Sequence, residues 1–202
     1  MAFVRPTPDH EVTEPVTEMF DEDRATWGFV PNFTRTFALR PDVYRAWQQL
    51  NATVKASMDL RRYELATVAA AAALRSSYCT LAHGRVLAEQ FLPAEGVIQL
   101  LTDRAEAPLD AVDRAVVGFA EKVALNAGQV SQADVDELRA LGLTDEEVFD
   151  VVLAAAARCF FAKALDATGT EPDAAYRRLD PRLVDALTVG RAVAEATDGE
   201  TP

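Results

Sequence analysis

Cysteine and histidine are scarce in this chain, which contains two of each in 202 residues. A tetrahedral metal site takes about four such ligands. Cys79 and His83 are four positions apart, and no second Cys/His pair accompanies them. The sequence also lacks a glycine-rich phosphate loop and a Gly-x-Ser-x-Gly nucleophile elbow. We therefore expect no bound metal and no cofactor.

Long hydrophobic runs are missing as well. The longest, residues 65–74, is rich in alanine and about half the length of a bilayer span. The first residues have no apolar core of a secretory signal. A net charge of −12, spread along the chain, argues against nucleic acid or an anionic membrane as partner. With two widely separated cysteines, this predicts reduced thiols and a cytoplasmic location.

Helical periodicity dominates the chain, and no alternating strand pattern persists. The patterns predict an all-α bundle of about 8–10 helices. Residues 60–75, with their alanine tract, are expected at its centre. A final helix over 181–196 is expected at the periphery, followed by a tail. The stripe expected to be buried on the helix 41–57 consists of Val43, Trp47, Leu50 and Val54.

The stretch "RSSYCTLAHG", residues 75–84, carries the clearest candidates for chemistry. Ser76 or Ser77 can cap a helix that places Cys79 in its first turn, where free backbone N–H groups favour a thiolate. His83 falls on the same helical face, within reach as a base. Glu64 on the preceding helix can orient the imidazole. Tyr78 adds a hydroxyl. A small core cysteine beside an incidental histidine is the alternative interpretation, and Cys159 is interpreted as core packing against Phe160 and Phe161.

Glu64, eleven residues, Ser76-Ser77-Tyr78-Cys79 and then His83 resemble a known motif. The carboxymuconolactone decarboxylase and alkylhydroperoxidase D-like superfamily carries Glu-x11-Cys-x-x-Cys-x-x-x-His in its redox-active branch. The segments 28–47 and 107–152 are similar to its peroxidase-related branch. The resemblance covers residues 25–175, which we take as the domain, with an N-terminal segment at 1–24 and a C-terminal helix and tail at 176–202.

The resemblance implies an all-α homo-oligomer, a trimer or hexamer, and a thiol mechanism. In that family the second cysteine, activated through His and Glu, attacks a peroxide, and the first cysteine resolves the sulfenic acid. Here the first cysteine is replaced by Ser76, which cannot form the disulfide. An external thiol, or Cys159 if it reaches the site, would have to resolve the sulfenic acid.

Three functions stay open at this point. The first is an alkylhydroperoxidase-like oxidoreductase of one-cysteine type, with Cys79 as nucleophile, His83 as base, Glu64 as relay, Ser76 as hydrogen-bond donor to the thiolate and Tyr78 in support. The second is a carboxymuconolactone decarboxylase-like lyase that acts on a small organic acid through His83 and Glu64. The third is a catalytically degenerate oligomeric scaffold.

Overall fold

A computed structural model describes residues 2–7 and 11–196. Within those ranges the chain forms ten α-helices and no strand, which confirms the all-α prediction. The helices are α1 (Val16–Trp27), α2 (Asn32–Phe37), α3 (Pro41–Ala56), α4 (Leu60–Ala73), α5 (Ser77–Gln90), α6 (Ala94–Thr102), α7 (Ala111–Asn126), α8 (Gln132–Ala140), α9 (Asp145–Thr168) and α10 (Pro181–Leu187).

Helix α4 is the centre of the bundle and packs against α5, α7 and α9. Its residues 65–71 are fully buried or nearly so, because alanine side chains let the neighbouring helices approach closely. Side chains cap the helices that meet here. Asp59 accepts from the backbone N–H of Arg62 at the start of α4, and Thr144 forms a capping box with Glu147 at the start of α9.

The buried edge of α3 differs from the predicted stripe. Val43 and Leu50 are 44% and 51% exposed, so their predicted burial is wrong. Val54 is buried as predicted, and Tyr44 is buried near the start of the helix. The Tyr44 hydroxyl donates to the buried carboxylate of Asp23 at 3.0 Å, and this bond turns the tyrosine inward in place of Val43.

The C-terminal helix is shorter than predicted and is not peripheral. Helix α10 ends at Leu187, and both Leu183 and Leu187 are buried against α5 and α6. The chain then returns to the α4–α5 turn, where Gly190 N–H donates to Ser77 Oγ at 2.7 Å. Residues 197–202, which include the predicted tail, lie outside the described residues.

The buried apolar residues form two clusters. The larger lies among α4, α5, α6, α7, α9 and α10. The smaller gathers the aromatic residues of α1, α2 and α3 against α5 and α9, and it includes Cys79. No helix in the described part of the chain is long and apolar enough to cross a membrane.

Candidate active site

The turn between α4 and α5 brings the predicted residues together. Arg75 takes a left-handed backbone conformation (φ 58°), and Ser76 follows as the residue before α5. Cys79 therefore lies in the first turn of α5 and His83 one turn later, as the sequence predicted. Glu64, on α4, faces them from the centre of the bundle and is 1% exposed.

Glu64, which is buried, and His83, which is partly buried, form a hydrogen-bonded pair. Glu64 Oε2 lies 2.6 Å from His83 Nδ1, and its Oε1 lies 3.5 Å from the Lys55 ammonium. Burial acts to raise the pKa of Glu64, but the hydrogen bond and charge of His83, with the charges of Lys55 and Arg158, lower it overall.

The same surroundings keep His83 neutral. Burial lowers its pKa, and the charge of Arg158 acts in the same direction, against the hydrogen bond and charge of Glu64. With Glu64 ionised and His83 neutral, Nδ1 carries the proton that Glu64 accepts. Nε2 is then left with a free lone pair and can act as a base.

Arg158, on α9, is a site residue that the sequence did not reveal. Its guanidinium is buried (2% exposed), and Nη1 lies 3.6 Å from Cys79 Sγ. It also lies over the rings of Trp47 and Phe161, 6.0 and 5.6 Å from their centroids. Among the described residues no carboxylate forms a salt bridge with it, and the groups beside its charge are the Cys79 thiol and the Tyr63 hydroxyl.

A single arginine forms no periodic pattern, so the sequence pattern does not point to Arg158. The only signal is its position in a long helix, where apolar residues precede it (151–157) and follow it (160–162). A charge in such a run is either buried and paired or functional.

Ser76 and Tyr78 lie close by but do not contact the sulfur. Ser76 is fully buried, and its Oγ has no hydrogen-bond partner, so the predicted bond from Ser76 to Cys79 is absent. The Tyr78 hydroxyl donates to Asp173 and accepts from the backbone N–H of Phe33 at 3.3 Å.

Cys159 belongs to a different part of the molecule. It follows Arg158 on α9 but packs against the larger cluster, with its Sγ 3.8 Å from the carbonyl oxygen of Ala124 on α7. Phe161 belongs to the smaller cluster and Phe160 is 46% exposed, so the predicted packing of Cys159 against these rings is wrong. Burial raises the pKa of the Cys159 thiol.

A cavity of about 430 Å³ opens beside Cys79. Glu64, His83 and Arg158 share its wall with Lys55, while Ser76 and Cys159 do not line it. Aromatic side chains from α1, α2, α3, α5 and α9 form a large part of the remaining wall: Trp27, Phe33, Tyr44, Trp47, Tyr78 and Phe161. The cavity thus combines a thiol, a base with its carboxylate, a buried cation and several aromatic rings.

Part of the chain is similar to a known protein family. Residues 41–122 match the model of the carboxymuconolactone decarboxylase family. That stretch contains Glu64, Cys79 and His83, whereas Arg158 and Phe161 lie beyond it. A search of functionally curated proteins finds no significant match.

Several solved structures share the fold. A peroxidase-related protein from Ralstonia eutropha JMP134, described as an alkylhydroperoxidase AhpD core, is 25% identical with a TM-score of 0.77, covering 87% of this chain and 94% of its own. A peroxidase-related protein from Silicibacter sp. TM1040 is 22% identical (TM-score 0.73; 87% and 91% covered). A Cys-to-Ala variant of the debrominase Bmp8 in complex with 2,3,4-tribromopyrrole is 16% identical (TM-score 0.72; 91% and 96% covered).

Proposed function

Because the chain belongs to the carboxymuconolactone decarboxylase and alkylhydroperoxidase D-like superfamily, we propose that it is a thiol-dependent oxidoreductase in which Cys79 reduces a peroxide. The observation that carries the proposal is the contact between the buried Arg158 guanidinium and Cys79 Sγ. Burial of a cation is costly, and the ionised Glu64 nearby balances part of that charge. The guanidinium also stabilises negative charge that develops on Cys79 Sγ, and the thiolate is the nucleophilic form of cysteine.

The reaction begins with removal of the thiol proton. His83 Nε2 accepts that proton, and the ionised Glu64 stabilises the imidazolium through Nδ1. The thiolate attacks one peroxide oxygen, an S–O bond forms and the O–O bond breaks. His83 returns the proton to the departing oxygen. Sulfur is oxidised to a sulfenic acid and the peroxide is reduced to an alcohol or to water.

Regeneration requires an external thiol, because position 76 is serine and Cys159 lies in the other cluster. One thiol condenses with the sulfenic acid and releases water. A second then displaces Cys79 from the mixed disulfide. The net products are reduced Cys79, one disulfide of the external thiol and water. Assembly into a trimer or hexamer, which the family resemblance implies, stays a prediction that light scattering tests.

Single-turnover oxidation tests the proposal. The purified protein is treated with one equivalent of cumene hydroperoxide, and sulfenic acid is trapped with dimedone and located by mass spectrometry. We expect dimedone on Cys79 in the wild type and at least tenfold less in His83→Gln and in Arg158→Met. Absence of label from Cys79 in a folded wild-type protein would exclude the mechanism.

Acid–base chemistry without the thiol is a second candidate, favoured by the 2.6 Å Glu64–His83 pair in the wall of the cavity. A lyase acting on a small organic acid would use His83 Nε2 as its base. Cys79→Ala separates the two functions. Turnover of a candidate acid that survives this substitution but not His83→Gln would favour the lyase.

A further inference from the structure

The cavity beside Cys79 is larger than hydrogen peroxide needs. Its volume of about 430 Å³ falls within the usual range for binding organic molecules. Trp47 and Phe161 stack on each other, with centroids 4.1 Å apart and planes 21° from parallel, so a ligand does not fit between them. Phe33 closes on Phe161 edge-on, with centroids 5.6 Å apart and planes at 66°. With eight phenylalanine, tyrosine and tryptophan residues in its wall, the cavity favours a planar ring, which packs against aromatic edges and faces.

The polar groups of the wall are unequally satisfied. Most carboxylate oxygens already have a partner: Asp23 accepts from Thr34 and Tyr44, Glu64 Oε2 binds His83, and Asp173 accepts from Tyr78. Glu64 Oε1 has no hydrogen bond but lies 3.5 Å from the Lys55 ammonium. Two N–H donors are unpaired. Trp47 Nε1 and Arg158 Nε are both buried and have no hydrogen-bond partner. A buried donor without an acceptor is unfavourable, so a ligand that supplies an acceptor to these donors should bind more tightly.

We infer that this cavity binds a planar, ring-sized organic molecule that carries a hydrogen-bond acceptor for Trp47 and Arg158. The reaction at Cys79 rests on the proposed function, and its substrate would then be a peroxide attached to such a ring. The Arg158 guanidinium can contact both the sulfur and the ligand, because Nη1 contacts Cys79 Sγ while Nε has no hydrogen-bond partner. The acceptor is thereby brought next to the sulfur.

Binding is tested with the Cys79→Ser variant, in which no thiol chemistry can occur. NMR titrations give dissociation constants for benzamide, which is planar with an acceptor, for toluene, which is planar without one, and for cyclohexanecarboxamide, which has the acceptor but no planar ring. We expect benzamide to bind about tenfold more tightly than either comparison molecule. Equal affinity for benzamide and cyclohexanecarboxamide, or no binding of benzamide, overturns the inference.

Three further substitutions, each made in Cys79→Ser, locate the effect. Trp47→Phe keeps the ring and removes its N–H, so the preference for benzamide over toluene should fall about threefold. Phe161→Leu should weaken benzamide binding about tenfold, whereas Phe160→Leu, an exposed neighbour on α9 outside the cavity, should not. Circular dichroism verifies that each variant is folded. Equal effects of the two phenylalanine variants would place binding elsewhere and overturn the inference.

The two proposals fail separately. Dimedone labelling of Cys79 by peroxide without binding of benzamide would leave the proposed function standing and overturn the ring-binding inference. Binding of benzamide by a protein whose Cys79 resists peroxide would support the ring-binding site and remove the proposed chemistry.

Discussion

Three ionisable side chains surround Cys79, and each depends on the others. Arg158 lies beside the sulfur. Burial is the main cause of the lowered pKa of His83, and the charge of Arg158 adds to it. Arg158 also helps to hold Glu64 in its ionised form. Removing one member of such a buried group leaves another charge uncompensated, which typically costs several kcal/mol. Substitutions therefore have to be compared with a charge-retaining variant as well as with a neutral one.

The charge of Arg158 should set the reactivity of Cys79. At pH 7 we expect Arg158→Met to slow alkylation of Cys79 by iodoacetamide by about tenfold or more, because the thiolate loses its neighbouring cation. Arg158→Lys should recover part of the rate. Mass spectrometry of the alkylated peptide separates Cys79 from Cys159.

Arg85→Met is the matched control for this experiment. Arg85 also lines the cavity, but it pairs with Glu89 on the same helix at 3.2 Å. Its removal should change the rate less than twofold, and a loss as large as that of Arg158→Met would mean that general electrostatics, not the contact with sulfur, controls Cys79.

His83 should stay neutral in mildly acidic solution. An ordinary histidine, with a pKa near 6.5, is about three-quarters protonated at pH 6. Burial and Arg158 lower the pKa of His83, so we expect its imidazole proton resonances, assigned by their loss in His83→Gln, to remain at their neutral positions at pH 6. A midpoint at or above 6.5 would contradict the assigned roles.

The lowered pKa of His83 also makes the stability of the folded protein depend on pH. The folded state takes up this proton less readily than the unfolded chain, so stability is retained above pH 6.5 and falls as the pH drops from there toward the lowered pKa. Glu64, whose pKa is also lowered, adds a loss in the same direction below about pH 4.5.

At the scale of elements, the helices with strong caps were predictable. Ser131 and Thr144 mark the starts of α8 and α9, and Gly169 ends α9 in a left-handed conformation. Cys79 lies in the first turn of α5 as predicted, although the side chain of Ser76, the residue before that helix, makes no capping hydrogen bond. These features depend on residues close together in the chain, which is why sequence alone can supply them.

Long-range features were not predictable in the same way. The inward face of α3 is set by the bond from Tyr44 to Asp23 on α1, and periodicity alone put Val43 and Leu50 inward. The burial of α10 depends on α5, where Gly84 leaves no room for a side chain: an added Cβ would lie 2.3 Å from Leu187 Cδ2. Arg158 reaches Cys79 across 79 residues of chain.

The segment after α10 packs against the α4–α5 turn, and a substitution at Gly190 tests this packing. A Cβ on Gly190 would lie 2.0 Å from the carbonyl oxygen of Arg75, and backbone cannot move aside cheaply. We expect Gly190→Ala to lower the free energy of unfolding by about 1–3 kcal/mol in urea denaturation.

Gly118→Ala is expected to raise stability, in contrast to Gly190→Ala. Gly118 lies inside α7, and an added Cβ would meet no atom within 4 Å. Alanine should raise stability there by about 0.5–1 kcal/mol, because it is the better helix former. A Gly190→Ala variant as stable as the wild type would mean that the chain after α10 packs differently.

At the scale of the whole molecule, the two cysteines occupy different hydrophobic clusters. Cys79 lies in the smaller one and Cys159 in the larger, against α7. We therefore predict that peroxide alone produces no disulfide between them. Non-reducing peptide mapping after oxidation should find sulfenic acid or its further oxidation products on Cys79 and an unmodified Cys159.

Addition of a small thiol to the oxidised protein should give a mixed disulfide on Cys79 and then the free cysteine. The variant Cys159→Ala should follow the same course at the same rate. A Cys79–Cys159 peptide, or a loss of recovery in Cys159→Ala, would show that the second cysteine does resolve the first.

The positions of the site residues along the chain bear on how substitutions could alter which compounds the protein accepts. Glu64, Cys79 and His83 lie within residues 41–122, whereas Phe33, Arg158 and Phe161 are contributed by α2 and α9, outside that stretch. The proposed nucleophile, base and relay thus come from one segment, while α2 and α9 add the cation beside the sulfur and part of the cavity wall. Libraries that vary α2 and the inner face of α9, with Arg158 kept, could alter which compounds enter while the proposed reacting residues are retained.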